Sequence, residues 1–224
     1  MAYKTCISIG ENTPNKIRSK LKVALKKSDY VEIRLDFLKS EQIPKTLEII
    51  KKDLNKVVCT LRPKTEGGKF AGNEKERISI IKLIAEYNPF LLDIEFNTLN
   101  KNKELFRYLK STKTQLLVSW HDFKKTPKNS ELKNKIKQMS KFSTNVKIVS
   151  TAKSTDDSTR MLELYNNKGK NNLISFAMGD FGRISRILCL YLGSPYTYVS
   201  LGKAIAPGQF SVDEVKKIIN LKKN

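Results

Sequence analysis

The chain has little of what staples, anchors or decorates a small protein: three cysteines, a single histidine and ten glycines in 224 residues. Cys6, Cys59 and Cys189 are far apart and sit within apolar runs, which suits reduced core thiols and argues against a disulfide framework or a thiolate metal site. With one histidine, His121, a metal would need a carboxylate-rich hard-ion cluster, but the carboxylates have Arg34 and Arg62 as partners, so no metal is expected. No apolar run is long enough to cross a bilayer, and the first residues hold no stretch suited to a signal sequence. A cytoplasmic protein without membrane contact is the expectation. Ile9-Gly10-Glu11-Asn12 lacks the glycine fingerprint of a dinucleotide site, and no phosphate-cradling loop with lysine occurs elsewhere, which argues against nucleotide chemistry. Acidic residues are few, 22 against 43 lysines and arginines, for a formal charge of +21. The lysines are spread over the expected helices and both termini rather than clustered among aromatics. They read as a solvated exterior instead of a nucleic-acid interface, although their field favours the arrival of an anionic substrate.

What the chain does have is a repeated alternation. In Val31-Glu32-Ile33-Arg34-Leu35-Asp36-Phe37-Leu38, strand periodicity puts Glu32, Arg34 and Asp36 on one face and Val31, Ile33 and Leu35 on the other. The same parity recurs for Thr60 and Arg62, for Asp93 and Glu95, for Ser119 and His121, and for Lys147 between Val146 and Ile148. A solvated edge explains one such strand. Several of them in one sheet bring carboxylates, guanidinium groups, an imidazole and an amine to a common surface, where burial requires opposite charges to pair.

Strand-like runs lie near Thr5–Ile9, Val31–Leu35, Val57–Leu61, Phe90–Ile94, Gln115–Ser119, Val146–Ser150, Leu173–Ala177 and Tyr196–Ser200. Amphipathic stretches such as Ile43, Leu47, Ile50 and Leu54, or Leu132, Ile136 and Met139, lie between them. Pro14 after Thr13 and the capping box of Ser211 with Glu214 mark helix starts. Eight strand–helix units predict an α/β protein, a single (β/α)8 barrel over residues 1–224, with an open doubly wound sheet as the alternative. The charged positions fall near the C-terminal ends of the strands, where active sites of such barrels gather.

Two of these residues could carry chemistry on their own account. His121 must be the residue if an imidazole acts as general acid or base. A lone histidine is also a common structural group, and its place at a strand end beside Ser119 favours the chemical reading. Lys147 on an interior strand would be desolvated among other cations, conditions that favour the neutral amine able to attack a carbonyl; the alternative is an ordinary ion-pair partner. Gly67, Gly68 and Gly72 after the third strand, and Pro207-Gly208 after the eighth, read either as turn formers or as hinges of a lid that excludes water.

Glu32-x-Arg34-x-Asp36, Arg62 with Glu66-Gly67-Gly68, Asp93-x-Glu95, Ser119-Trp120-His121-Asp122-Phe123, Lys147-Ile148-Val149, the segment Met178 to Ile187 and Ala206-Pro207-Gly208-Gln209 together resemble the type I 3-dehydroquinate dehydratases in order and spacing, across essentially the whole chain. The resemblance implies a lyase of the shikimate pathway that removes water from 3-dehydroquinate through a Schiff base, with no metal or organic cofactor, and a homodimer. It implies Lys147 as the Schiff-base lysine, His121 as general acid and base, and Glu66 as the carboxylate that orients the imidazole. Arg186 would take the substrate carboxylate, while Glu32, Arg34, Arg62 and Gln209 would hold the ring hydroxyls and the imine. Asp36, Asp93, Glu95, Ser119, Phe123 and Met178 are supporting residues in this reading. One departure is Ile205, where many members carry a serine two residues before the loop proline, so the hydroxyl contact to substrate is either missing here or supplied by another residue. Two other classes remain for comparison. A Schiff-base barrel aldolase acting on a sugar phosphate should carry a phosphate-binding glycine turn after the seventh or eighth strand, for which Ala206-Pro207-Gly208-Gln209 is a weak candidate, and a basic nucleic-acid-binding protein has no reason to bury Glu32, Asp36, Asp93 and Glu95.

Overall fold

The computed structural model describes residues 3–202 and 204–220. Strands and helices alternate throughout: β1 (Thr5–Ile9), α1 (Pro14–Ala24), β2 (Tyr30–Arg34), α2 (Ile43–Ile50), β3 (Val57–Thr60), α3 (Glu74–Glu86), β4 (Leu91–Glu95), α4 (Phe96–Lys101), α5 (Lys103–Ser111), β5 (Leu116–Asp122), α6 (Asn129–Met139), β6 (Asn145–Thr151), α7 (Thr155–Glu163), β7 (Asn172–Met178), α8 (Ser185–Tyr191), β8 (Thr197–Ser200) and α9 (Val212–Asn220). In the sheet each strand lies beside its sequence neighbour, with β8 beside β1. The pairs β2–β3, β3–β4 and β6–β7 are parallel. This is the element and strand order of a (β/α)8 barrel.

The chain divides into two compact units, Ser8–Leu117 on one hand and the residues up to Ile7 with those from Val118 onward on the other; both divisions fall inside strands, β1 and β5. Local chemistry accounts for the elements within each. Thr13 caps α1 by accepting from the Lys16 amide, with Pro14 pre-set at the first helical position. Asn73 does the same for α3 through the Glu76 amide. Ser211 and Glu214 form the reciprocal capping box that starts α9. Ile43, Leu47, Ile50 and Leu54 are all buried, as are Leu132, Ile136 and Met139. The strands are buried on both faces, as parallel strands covered by helices must be.

Register fixes which side chains share a face. Arg34 pairs with Thr60 and Thr60 with Asp93, and Glu32 lies two residues before Arg34, so these four point to one side of β2–β4. In the second unit Lys147 pairs with Ile174, Val149 with Phe176 and Thr151 with Met178, so Lys147, Phe176 and Met178 share a side.

Two of the boundaries that differ from the sequence expectation bear on the site. Strand β2 stops at Arg34, and Leu35–Phe37 is a 3-10 turn, so Asp36 reaches its buried position by a turn rather than by strand alternation. Strand β5 continues to Asp122, three residues past the expected end, and carries His121 within the ladder. The three cysteines are free and buried, and burial pushes Cys59 up to about 12 and Cys189 up to about 11, which keeps the thiols protonated. No helix among the described residues is long and apolar enough to cross a membrane.

Candidate active site

In the unit Ser8–Leu117 the strand ends carry a network of paired charges. Glu32 accepts a hydrogen bond from Thr60 Oγ1 at 2.9 Å. Arg34 forks onto Asp36, with Nε and Nη2 each 2.8 Å from a carboxylate oxygen, and the Lys69 amide donates to the same carboxylate at 2.9 Å. Arg62 lies two residues beyond β3. It donates to Glu95 Oε1 at 2.7 Å and to Asp93 Oδ2 at 2.8 Å. Burial alone would lower the Arg62 pKa, but Asp93, Glu95, Glu66 and Glu32 outweigh it and the net shift is upward.

Glu66 ends a 3-10 turn after β3 and accepts from Asn97 Nδ2 at 3.2 Å. Burial raises its pKa to about 7, helped by the negative charge of Glu95 and opposed by Arg62. The glycines beside it are turn formers. Gly67 takes a left-handed φ of 73°, and a Cβ on Gly68 would come within 2.0 Å of the Arg62 carbonyl oxygen. A side chain at Gly68 would displace the turn that presents Glu66, and one at Gly67 would strain it.

In the unit from Val118 onward the arrangement is of cations on aromatic faces. Lys147 is 6% exposed, and every other described lysine is exposed or half-buried. Its Nζ lies 4.2 Å from the Tyr198 ring centroid. Tyr198 meets Phe176 at 6.5 Å, and the Arg186 guanidinium sits 4.3 Å over Phe176. Arg186, at the start of α8, donates from Nη2 to the Pro207 carbonyl at 3.0 Å. Its Nε is buried without a hydrogen-bond partner, and no carboxylate among the described residues pairs with it. Burial therefore lowers its pKa to about 10. An ion pair holding its helix start, the plain alternative for this arginine, is not what it makes.

His121 is half-buried and stacks on Phe123 with centroids 5.8 Å apart; Phe123 itself is exposed. Ser119 is fully buried. Met178 closes β7 and is buried. Gln209 is buried and its Oε1 accepts from the Ile205 amide at 3.2 Å, bracing the loop in which Gly208 takes a φ of 70°. Thus the residue in place of the family serine is tied to the loop glutamine through its backbone.

The sequence reading missed Tyr198 and Phe176, although alternation along the seventh and eighth strands would have placed both. It also missed Arg77, 1% exposed in α3, whose signal was an arginine on the stripe of Ile81, Ile84 and Ala85. Among the described residues no group of three His, Cys, Asp or Glu side chains is placed to hold a metal ion. Chemically, one unit offers a buried amine, an imidazole, and a guanidinium that no carboxylate among the described residues pairs with. The other offers arginines and carboxylates fixed by one another.

Residues 5–224 match the family described as type I 3-dehydroquinase. The chain belongs to this family. A protein of Methanocaldococcus jannaschii named 3-dehydroquinate dehydratase is 34% identical over 224 residues, covering 96% of this chain and 97% of that protein. One of Methanococcus maripaludis with the same name is 37% identical over 218 residues, covering 95% and 96%. The crystal structure of 3-dehydroquinate dehydratase from Geobacillus kaustophilus superposes with a TM-score of 0.90 over 100% of this chain and 92% of that one at 24% identity, which shows the shared (β/α)8 barrel. The type I 3-dehydroquinase match spans every segment on which the resemblance rested, from Glu32 to Gln209.

Proposed function

We propose that this chain is a 3-dehydroquinate dehydratase that eliminates water from 3-dehydroquinate to give 3-dehydroshikimate in the shikimate pathway, the two compact units acting as one catalytic domain over residues 1–224. The observation that carries the reading is Lys147, the one buried lysine among the described residues, in a family whose members bear the dehydratase name. A chain with this much lysine on its surface has a specific reason to desolvate one of them.

The chemistry follows from the residue types. The Lys147 amine attacks the substrate ketone and, with loss of one water, forms an imine. Protonated, the imine draws electrons from the adjacent carbon–hydrogen bond, and the His121 imidazole takes that proton. The electron pair moves into an enamine, which returns it by expelling the β-hydroxyl, and the imidazolium gives its proton to the leaving oxygen. Water then adds to the imine and releases product and free amine, so the net change is loss of one water. Glu66 is assigned the carboxylate that orients the imidazole and stabilises the imidazolium. Arg186, buried without a protein carboxylate, suits the substrate carboxylate: two parallel charge-assisted bonds would supply the missing anion and fix the ring's orientation. Glu32, Arg34, Arg62 and Gln209 take the hydroxyls and the imine nitrogen, with Asp36, Asp93, Glu95, Ser119, Phe123 and Met178 around them.

We also propose a cytoplasmic homodimer. Phe181, Ile184, Leu188, Tyr191 and Leu192 are exposed apolar side chains on and beside α8, within residues 171–202, which contain no lysine. On a chain of charge +21 such a face meets a second copy with little repulsion. A sedimenting species of one-chain mass would contradict the dimer. The activity itself is tested by adding 3-dehydroquinate to the purified protein and following the ultraviolet absorbance of the conjugated enone. Its appearance is expected, and its absence with folded protein would contradict the proposal.

A further inference from the structure

We propose that Arg77 is a positioning residue for the dehydration site, fixing Glu95 so that Glu95 and Asp93 hold the Arg62 guanidinium in one orientation. The inference rests on the proposed role of Arg62 in substrate binding. Arg77 does not touch the reacting atoms in this account; it acts through Glu95.

The geometry is closed on all sides. Arg77 Nε and Nη2 each lie 2.8 Å from a Glu74 oxygen. Its Nη1 donates to Glu95 Oε2 at 2.7 Å and to the Leu61 carbonyl at 3.3 Å, and Nη2 also bonds Thr98 Oγ1. One side chain thus ties the start of α3 to the segment after β3, the end of β4 and α4. Glu95 divides its oxygens, Oε1 to Arg62 and Oε2 to Arg77. Arg62 in turn divides its terminal nitrogens between Glu95 and Asp93. Because each acceptor is already engaged, no member of the chain can swing without breaking a partner's bond.

Charge makes the dependence sharper. The buried ion-paired set around Glu95 is Arg62, Arg77, Asp93 and Glu95, two cations and two anions, with Glu32 and Glu66 adding negative charge near Arg62, whereas the Glu74 side chain is 56% exposed and water screens it. Without Arg77 the buried set carries one surplus negative charge and Glu95 has an oxygen with no cation on it. The carboxylate then turns both oxygens to Arg62 and draws it from Asp93, or takes up a proton and loosens its hold; either way Arg62 changes direction. A buried ionic cluster is a poor means of anchoring a helix, since apolar residues of similar volume serve as well, but it is a good means of fixing direction.

Arg77 also borders a cavity of about 410 Å³ lined by Glu66, Glu74, Asn97, Thr98 and Lys101 among others. Truncation at Arg77 would extend this cavity with a guanidinium-shaped space, so a guanidinium ion can enter and replace the lost group. The experiment measures kcat, KM and melting temperature for Arg77→Ala, Arg77→Lys, Arg62→Ala and the double variant Arg77→Ala/Glu95→Gln. For Arg77→Ala, KM is expected to rise about tenfold with a smaller change in kcat. Arg77→Lys, which keeps the charge without the fork, should fall between it and the parent. Guanidinium chloride, far below unfolding concentrations, should restore KM where sodium chloride at equal ionic strength does not, and the double variant should bind substrate better than Arg77→Ala alone. Lower melting with unchanged KM would overturn the proposal, as would guanidinium that restores melting and leaves KM high. Should Arg77→Ala fail to fold, unchanged KM in Arg77→Lys overturns it equally. If Arg62→Ala leaves KM unchanged, it is the role of Arg62 that fails; if Arg62→Ala raises KM and the Arg77 variants do not, the positioning role alone fails.

Discussion

In the unit Ser8–Leu117, Arg34, Arg62 and Arg77 all end on carboxylates of the same unit, at 2.7 to 2.8 Å. In the unit from Val118 onward, Arg186 is buried as deeply as Arg62 and among the described residues meets a carbonyl oxygen and the face of Phe176 rather than a carboxylate. A guanidinium that shares two carboxylates is finished structure: its charge is met and its direction is set before any ligand arrives. One that is desolvated without an anion is held at a cost that a bound carboxylate would reverse. The first arrangement gives rigidity to its members, and the second, in the proposed site, would give a carboxylate ligand a reason to bind. Lys147, the proposed nucleophile, is buried against Tyr198 in the same unit as Arg186.

The largest expected effect is on that side. Lys147→Ala should abolish turnover while the fold survives, because it removes the amine proposed to form the imine; residual turnover near the parent's would move the chemistry elsewhere. His121→Ala should lose about 10²- to 10⁴-fold in kcat, the range for a general acid–base group, with Lys147 still able to form an imine slowly. Near-native kcat would mean another base. Next comes Arg186→Ala, with roughly a hundredfold loss in kcat/KM carried by KM, and Arg186→Lys should also raise KM because the fork is lost. Melting should hardly fall in Arg186→Ala, since no protein ion pair is broken; a large fall with unchanged KM would make Arg186 a structural residue and erase the contrast.

The smallest effect separates the units by pH. The folded Glu66 carboxyl, raised to about 7, keeps a proton that the unfolded chain has already released, so the fold weakens as pH rises from the ordinary carboxylate range through about 7. Glu66→Gln removes this penalty. Its melting temperature relative to the parent should therefore climb by at most a few degrees between about pH 5 and about pH 8. If the ionised carboxylate orients His121, parent turnover should rise through about pH 7 and this limb should be missing in Glu66→Gln. A variant with the parent's pH profile would remove Glu66 from the acid–base machinery.

The barrel was legible in the sequence because its strands are apolar, short and regularly spaced: all eight lie within a few residues of the expected runs. The end of β5 was not, since Trp120-His121-Asp122 breaks the apolar pattern while the backbone ladder continues regardless of side-chain polarity. Asp36 was expected on the right side for the wrong reason, a 3-10 turn replacing the last strand residues. Alternation found Lys147 and the charged faces of β2 to β4. Arg186 lies on a helix start that no strand parity reaches, and only the family resemblance singled it out. Arg77 escaped both routes, because its partners Leu61, Glu95 and Thr98 are 16 to 21 residues away in sequence and pairing of that range is set by the fold.

Lys147 is the residue proposed to form the imine. Borohydride reduction of the protein in the presence of 3-dehydroquinate, followed by mass mapping of the peptides, tests it most directly. One ligand-derived adduct is expected, on Lys147, and none in Lys147→Ala. An adduct on Lys153 or any other lysine, or turnover without a trappable adduct, would contradict it.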